Sequence, residues 1–207
     1  MAAGILCTQA CDSIDDLSGG ADAPEVTYPS TTFEADFYTA GQSSVPSIDW
    51  NGAQGTVSLG NVIEGLTVNS TTGQLQWTKM LPAGTHNLEV VLTNSEGQVV
   101  VPITLRNPLV GTFTGKFDEN RYDFKLEFDR DGILLVEGDD LTATGTYEIE
   151  DGEFSAYYAY DDYPDFDYTL LGELEQTSSS VSIDGFYYAG VYKAGDSPRS
   201  DFNVTLE

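Results

Sequence analysis

The stretch from Gly65 to Val101 constrains the fold more than any other part of this sequence, because its apolar residues recur at every second position between short turns. Four apolar rows follow one another: Leu66 and Val68, then Leu75 and Trp77, then Leu88, Val90 and Leu92, then Val99–Val101. Segments 69–73, 81–84 and 94–97 carry the glycine, asparagine, serine and proline residues that turns favour. This alternation predicts half-buried antiparallel strands joined by tight turns.

The order GLTVNSTTGQLQW followed by AGTHNLEVVLTNSEGQ resembles the immunoglobulin-like, cadherin-like repeats of bacterial surface proteins. The resemblance covers roughly residues 25–107 and implies an Ig-like β-sandwich exposed at a cell surface, without naming a ligand. Earlier strands of this module are predicted at 32–38 and 57–59, with Trp50 beside Trp77 in the core. About seven short strands in one domain fit a sandwich of this kind.

The composition changes after Asn107-Pro108, where a second run of short apolar segments begins. Eight strands are predicted, at 111–117, 122–128, 133–136, 142–149, 154–160, 166–174, 181–192 and 202–206. Their near-regular spacing predicts a closed meander or a compact sandwich, and the pattern resembles small lipocalin-like barrels of bacterial lipoproteins. The expected fold is therefore all-β, with an Ig-like β-sandwich at 25–107 followed by a small antiparallel β-barrel or sandwich at 108–207.

The charge of the chain excludes one large class of partners. Thirty-four acids against eight bases give a net charge of −26. Residues 108–207 hold 23 acids and 6 bases, net −17, and residues 1–107 hold 11 acids and 2 bases, net −9. Such a chain repels phosphate backbones, so no nucleic acid partner is expected.

The two cysteines, Cys7 and Cys11, both lie near the start of the sequence. A short apolar run precedes them, Ala10 stands directly before Cys11, and Asp12 follows. This order is typical of the end of a lipoprotein signal peptide, with residues 1–11 as signal remnant, Cys11 as the lipidated residue and 12–24 as a flexible tether. No apolar run reaches the ~18 residues of a spanning helix, so membrane contact through the lipid anchor alone is expected. The expected location is the cell envelope, at the outer-membrane surface.

Catalytic chemistry finds little support in the sequence. His86 is the only histidine, and no nucleophile or orienting acid can be assigned to it. Paired carboxylates for glycoside hydrolysis cannot be chosen among 34 acids. The protein is therefore expected not to be an enzyme. The hydrolase alternative would require a cleft with convergent polar groups.

Two acidic segments raise the question of calcium. Segment 129–132, DRDG, begins like a calcium loop, but Ile133 supplies no side-chain ligand, so a hairpin turn explains it better. The densest cluster consists of Asp161, Asp162, Asp165 and Asp167, which repel one another unless they are solvated or bridged by a cation. Calcium at these four residues is the one cofactor considered, against the alternative of a solvated loop.

Aromatic residues alternate along two strands of the second half. The predicted inward rows are Phe154, Ala156, Tyr158 and Tyr160 on one strand, and Val181, Ile183, Gly185, Tyr187, Ala189 and Val191 on another. Tyr157, Phe186, Tyr188 and Tyr192 then face outward and form a candidate ligand-binding platform, since exposed aromatic clusters commonly mark binding surfaces. The alternatives are a bulge that swaps the faces, or the first half of the chain covering them.

These features together predict a non-catalytic, lipid-anchored cell-surface protein for binding or adhesion. Its expected partner is a neutral extracellular glycan or a surface protein, with Asp161 and Asp184 among the possible hydrogen-bond acceptors. One alternative is a lipocalin-like carrier of a small apolar ligand, and a third is a calcium-dependent adhesion module.

Overall fold

The computed structural model describes residues 23–207, which form seventeen β-strands and, within this range, no helix. The predicted all-β class is confirmed. The signal remnant at 1–11, the lipidation of Cys11 and nearly all of the predicted tether lie outside the described residues. Within residues 23–207 there is also no helix of the length and hydropathy that a membrane span requires.

The first half of the described chain contains nine strands in three small sheets. They are β1 (Glu25–Thr27), β2 (Thr32–Glu34), β3 (Gly41–Gln42), β4 (Ser47–Asp49), β5 (Thr56–Leu59), β6 (Leu66–Val68), β7 (Leu75–Trp77), β8 (Gly84–Thr93) and β9 (Gln98–Asn107). One sheet has the order β2-β9-β8-β5, a second β3-β7-β6, and β1 pairs with β4. Apolar side chains between the sheets form one core, which includes Leu75, Trp77, Val90, Leu92 and Leu105.

The long β8–β9 hairpin follows the alternation seen in the sequence. Its turn is fixed by Asn94, whose Oδ1 accepts hydrogen bonds from the backbone N–H groups of Glu96 and Gly97, each at 2.9 Å. Strand β2 is shorter than the predicted 32–38, because the backbone leaves the sheet after Glu34 and Tyr38 adopts a φ of 52°. Trp50 packs only partly buried against the core that Trp77 fills.

The second half forms a closed antiparallel barrel of eight strands. They are β10 (Gly111–Phe117), β11 (Tyr122–Phe128), β12 (Ile133–Gly138), β13 (Leu141–Glu150), β14 (Glu153–Tyr160), β15 (Asp167–Gln176), β16 (Val181–Ala189) and β17 (Ser200–Leu206). Each strand pairs with the next, and β10 pairs with β17 to close the ring. Of the two predicted architectures, the barrel is the one formed.

Glycines allow the backbones of β15 and β16 to approach each other closely. Gly172 and Gly185 lie opposite each other in the ladder. A Cβ atom on Gly185 would lie 2.2 Å from the Leu171 carbonyl oxygen, and one on Gly172 would lie 2.6 Å from the Asp184 carbonyl oxygen. Only glycine permits so close a backbone approach at these positions.

The barrel interior is filled with apolar side chains, as a barrel of eight strands requires. Phe154, Ala156, Tyr158 and Tyr160 are buried as predicted, and so are Val181 and Ile183. Ala189 and Val191 were predicted inward and are instead exposed. The reason is that β16 ends at Ala189, where Gly190 adopts a φ of 86° and redirects the chain.

One end of the barrel lies against the first half of the chain. Phe37 and Ala83 are buried within the barrel's own apolar core. Gln176 Nε2 donates hydrogen bonds to the carbonyl oxygens of Lys79 at 2.5 Å and Leu81 at 3.0 Å. Arg130 forms ion pairs with Glu34 and Asp36. This junction leaves the opposite, distal end of the barrel facing away from the first half.

Candidate functional site

Strands β14, β15 and β16 carry the candidate platform on the outer face of the barrel. Tyr157 pairs across β15 with Thr169, which in turn pairs with Tyr188, so all three side chains lie in one row on the same face. Tyr157 and Tyr188 are therefore two strand spacings apart, each of roughly 4.8 Å. The rings of Tyr188 and Tyr192 contact each other, with centroids 4.8 Å apart. The structure thus brings the predicted aromatic residues to one outer surface.

Thr169 holds this surface together, and no sequence pattern indicated it. Its side chain points outward, yet it is 0 % exposed. The hydroxyl group donates to the Gly190 carbonyl at 2.8 Å and accepts from the Tyr192 N–H at 3.1 Å. These bonds fold the segment after β16 back over the barrel, so Tyr192 lies on the surface through a turn and not, as predicted, within the strand.

Phe186 lies one row further along the strands, beside an open groove. Its side chain is 50 % exposed and pairs across the sheet with Leu171. The groove has a volume of about 780 Å³ and extends across the outer faces of β13 to β17 and β10. Tyr157, Tyr188 and Tyr192 do not line it, so the platform consists of Phe186 and Leu171 in the groove with the tyrosines adjoining.

The groove is strongly acidic. Six carboxylates line it, from Glu148, Glu150, Glu153, Glu173, Asp184 and Asp201. In the part of the chain that the structure describes, Lys116 is the only basic residue that lines the groove, and its ammonium group pairs with Asp123 at 2.6 Å. Asp184, a predicted acceptor, lies here and receives a hydrogen bond from the Asn203 amide. Asp161, the other predicted acceptor, lies outside the groove and accepts from the Thr142 hydroxyl at 2.8 Å.

A strained loop borders one end of the groove. Asp118, Glu119 and Asn120 have φ values of 54°, 54° and 64°, a left-handed conformation that costs non-glycine residues about 1–2 kcal/mol each. The loop is held by the Glu119 N–H, which donates to Asp201 Oδ1 at 3.0 Å, and by the Ser200 hydroxyl, which donates to Asp118 Oδ1 at 3.1 Å. Asn120 reaches the groove. Strain of this kind is often found beside binding sites, where the surrounding structure maintains it.

The four aspartates considered as calcium ligands lie close together in the sequence, where β14 leads into β15. All four are exposed: Asp161, Asp162 and Asp165 lie in the loop between β14 and β15, and Asp167 is the first residue of β15. Among residues 23–207, no group of three or more His, Cys, Asp or Glu side chains is arranged to hold a metal ion. Because these carboxylates are exposed, solvent has access to each of them and can screen the repulsion within the segment.

The two other segments singled out in the sequence have structural roles. Asp129 Oδ1 accepts from the N–H groups of Asp131 at 2.8 Å and Ile133 at 2.9 Å, and Gly132 has a φ of 83°, so DRDG is a hairpin turn as predicted. His86 Nε2 donates to the Pro82 carbonyl at 2.8 Å. No nucleophilic side chain is hydrogen-bonded to this histidine within the described residues.

A second, smaller cavity opens inside the distal end of the barrel. It measures about 150 Å³ and is lined mainly by aromatic rings, from Phe117, Phe124, Tyr158, Tyr160, Tyr168, Tyr187 and Phe202. Burial raises the pKa of Tyr158, Tyr160 and Tyr187 above the ordinary tyrosine value, so their phenols stay neutral at physiological pH. The volume is below the roughly 300–1,000 Å³ typical of drug-sized ligands.

Comparison with known proteins gives one distant structural alignment. No family model and no curated protein matches the sequence. One solved structure, human protocadherin-24 EC1-2, aligns with 12 % sequence identity over 90 % of this chain and 96 % of that chain, with a TM-score of 0.42. A similarity at this level carries no argument about the ligand or partners of this chain.

Proposed function

We propose that this protein is a non-catalytic binding protein of the cell surface, whose outer barrel groove recognises a neutral extracellular glycan. The observation that carries the proposal is Phe186, a half-exposed aromatic ring beside Leu171 in a groove of about 780 Å³. A sugar ring has an apolar C–H face that stacks on an aromatic ring, and hydroxyl groups that donate to carboxylates. The groove offers both kinds of partner within one surface.

The charge of the groove selects the class of glycan. Six lining carboxylates against one paired lysine repel a polyuronate or a sulfated chain, whereas a neutral chain meets only hydrogen-bond acceptors. An open groove buries only part of its ligand, so the expected dissociation constant is on the order of micromolar to millimolar. Weak binding of this kind suits a surface protein that engages a repeating polymer at several points.

Location and anchoring complete the proposal. The support for lipid anchorage at the outer-membrane surface is the sequence around Cys11, where Ala10 precedes and Asp12 follows. Labelled palmitate is expected to enter the full-length precursor and to be absent from the Cys11→Ser variant. Incorporation that persists in this variant would remove the anchor from the proposal and leave the groove unaffected.

Affinity electrophoresis through gels that contain neutral or acidic polysaccharides tests the glycan. The chain is expected to be retarded by at least one neutral polymer, and Phe186→Ala is expected to weaken that interaction about tenfold, as the loss of a central aromatic contact does. Leu135→Ala is the matched control, because Leu135 is an exposed apolar residue outside the groove. Equal retardation of wild type and Phe186→Ala, or retardation by acidic polymers alone, would overturn the proposal.

The carrier of a small apolar ligand is the second candidate, and the distal cavity is the observation that favours it. At about 150 Å³, this space admits a molecule of roughly the size of benzene and excludes a fatty acid or a pigment. Stoichiometric binding of an apolar dye by a chain that no polysaccharide retards would put this function in place of glycan recognition.

A further inference from the structure

The distal cavity combines two features that an ordinary apolar pocket lacks. Four tyrosine rings meet around it: Tyr158 stacks on Tyr168 with centroids 5.5 Å apart, Tyr160 meets both at 5.4 and 5.3 Å, and Tyr187 lies 6.1 Å from Tyr168. Among residues 23–207, the only charged residue that lines it is Asp139, at the β12–β13 turn. Neutral aromatic walls with one carboxylate at the rim favour a cation over a neutral molecule.

The loops around the cavity mouth strengthen this preference. Four loops meet at the distal end, at 118–121, 139–140, 161–166 and 190–199. They carry eight acids and three bases, net −5, on a half-chain of net −17. The acidic segment that includes Asp161, Asp162 and Asp165 thus lies at the same end of the barrel as the aromatic cavity. Its field raises the local concentration of small cations and repels anions.

Gly138 keeps the space open. It is buried in the cavity wall, and its φ lies outside the left-handed region. A Cβ atom there would lie 3.2 Å from Phe124 Cδ2, 3.3 Å from Phe117 Cε1 and 3.4 Å from the Tyr160 hydroxyl oxygen. The remaining volume of about 150 Å³ matches a trimethylammonium group, which is close in size to the benzene that cavities of this volume accept.

We infer that the distal end of the barrel is a binding site for a small organic cation, with a trimethylammonium group held among the four tyrosine rings and Asp139 at the mouth. Aromatic faces attract such a cation through their quadrupole, and a quaternary nitrogen has no N–H group that needs a hydrogen-bond partner in the cavity. The acidic rim favours a free cation over a phosphocholine headgroup, whose phosphate it repels. This site and the groove share Phe202 in their walls but lie on opposite faces of the barrel, since Tyr187 lines the inner cavity and Phe186, the preceding residue, lines the outer groove.

Titration of the full chain with choline, followed by NMR shifts of the tyrosine rings, tests the inference against a neutral isostere. Choline is expected to bind at least fivefold more tightly than 3,3-dimethylbutan-1-ol, which has the same shape without the charge. Phosphocholine is expected to bind more weakly than choline. Equal affinity for choline and the alcohol, tighter binding of phosphocholine, or no shift with choline would each overturn the inference.

Three variants locate the site. Gly138→Ala is expected to weaken choline binding about tenfold by filling the cavity, and Tyr168→Leu is expected to weaken choline while leaving the neutral alcohol unchanged. Asp139→Asn is expected to weaken choline a few-fold, against the control Asp140→Asn, because Asp140 shares the turn and a positive φ but does not line the cavity. Unchanged choline binding in Gly138→Ala and Asp139→Asn, both folded by their amide spectra, would overturn the assignment. Phe186→Ala is expected to retain choline binding, so failure of the glycan proposal and failure of this one are distinguishable.

Discussion

The hydroxyl group of Thr169 accepts a hydrogen bond from the backbone N–H of Tyr192 at 3.1 Å, and through this bond a residue of the barrel wall fixes the position of an aromatic ring 23 residues later. The same hydroxyl donates to the Gly190 carbonyl. The ring of Tyr192 is thereby held against that of Tyr188. The outer aromatic surface is therefore set by a buried threonine as well as by the aromatic residues themselves.

Replacing Thr169 with valine tests this arrangement. The change keeps the shape of the side chain and removes both hydrogen bonds, which leaves the Gly190 carbonyl and the Tyr192 N–H without their partner. We expect the free energy of unfolding to fall by about 1–3 kcal/mol in urea denaturation. Thr146→Val is the control, because Thr146 lies exposed in the same row, and a change within about 0.5 kcal/mol is expected there. Equal changes in the free energy of unfolding for Thr169→Val and Thr146→Val would show that the two hydrogen bonds of Thr169 do not stabilise the protein.

Alkaline pH is expected to destabilise the protein through its shielded tyrosines, among them the buried Tyr28 and the partly buried Tyr147. Burial raises the pKa of Tyr28 and of Tyr147 to about 12, with Asp129 as a further cause at Tyr147. Between pH 10 and 12 the unfolded chain loses these protons while the folded chain retains them. The stabilisation is thus complete below pH 10 and declines as pH rises towards 12. Urea titrations at several pH values measure this decline, and Tyr28→Phe should make it shallower; an unchanged slope in that variant would contradict the assignment.

The contact of Gln176 with the first half is expected to couple the unfolding of the two halves. Both tryptophans, Trp50 and Trp77, lie in the first half, whereas ten of the twelve tyrosines lie within 108–207. Tryptophan fluorescence and tyrosine near-ultraviolet circular dichroism therefore report different halves. In the wild type we expect coincident midpoints. In Gln176→Ala, which leaves the Lys79 carbonyl without this donor, we expect a stability loss of about 1–3 kcal/mol and separated midpoints.

Glu175→Ala is the control for this experiment, because Glu175 is exposed on the same strand. Separate midpoints in the wild type itself would show that the junction does not couple the halves, despite the burial of Phe37 and Ala83 in the barrel core.

Calcium is expected to act on this protein as a screening ion only. Calcium chloride and sodium chloride at equal ionic strength should raise the melting temperature equally, because both screen the repulsion within a chain of net charge −26. The double variant Asp165→Asn, Asp167→Asn should show the same response to both salts. A calcium-specific rise that disappears in this variant would establish a site at the β14–β15 loop.

Local sequence patterns predict much of this fold. The features that they do not predict depend on contacts between residues far apart in the sequence. Tyr157 and Tyr158 alternate strictly along β14, so their outward and inward orientations follow from period two alone. Tyr192 was predicted within the strand, but β16 ends at Ala189, and the position of Tyr192 depends on the turn at Gly190 and on a hydrogen bond to the distant Thr169. Likewise the segment DRDG predicts a turn, but no residue near Arg130 indicates that its side chain forms ion pairs with Glu34 and Asp36, which are more than ninety residues away.

The pairing of β10 with β17 is the remote contact that makes the second half a closed barrel. The same pairing also sets the order in which the chain can fold. In this pairing Phe113 lies opposite Leu206, which is 93 positions later in the sequence. The length-dependent part of closing a loop of this size costs about 4 kcal/mol. A chain leaving the ribosome cannot complete the ring until β17 has been synthesised, and until then β10 and β16 are open sheet edges. The unfinished barrel is therefore the state in which this protein most needs protection from aggregation.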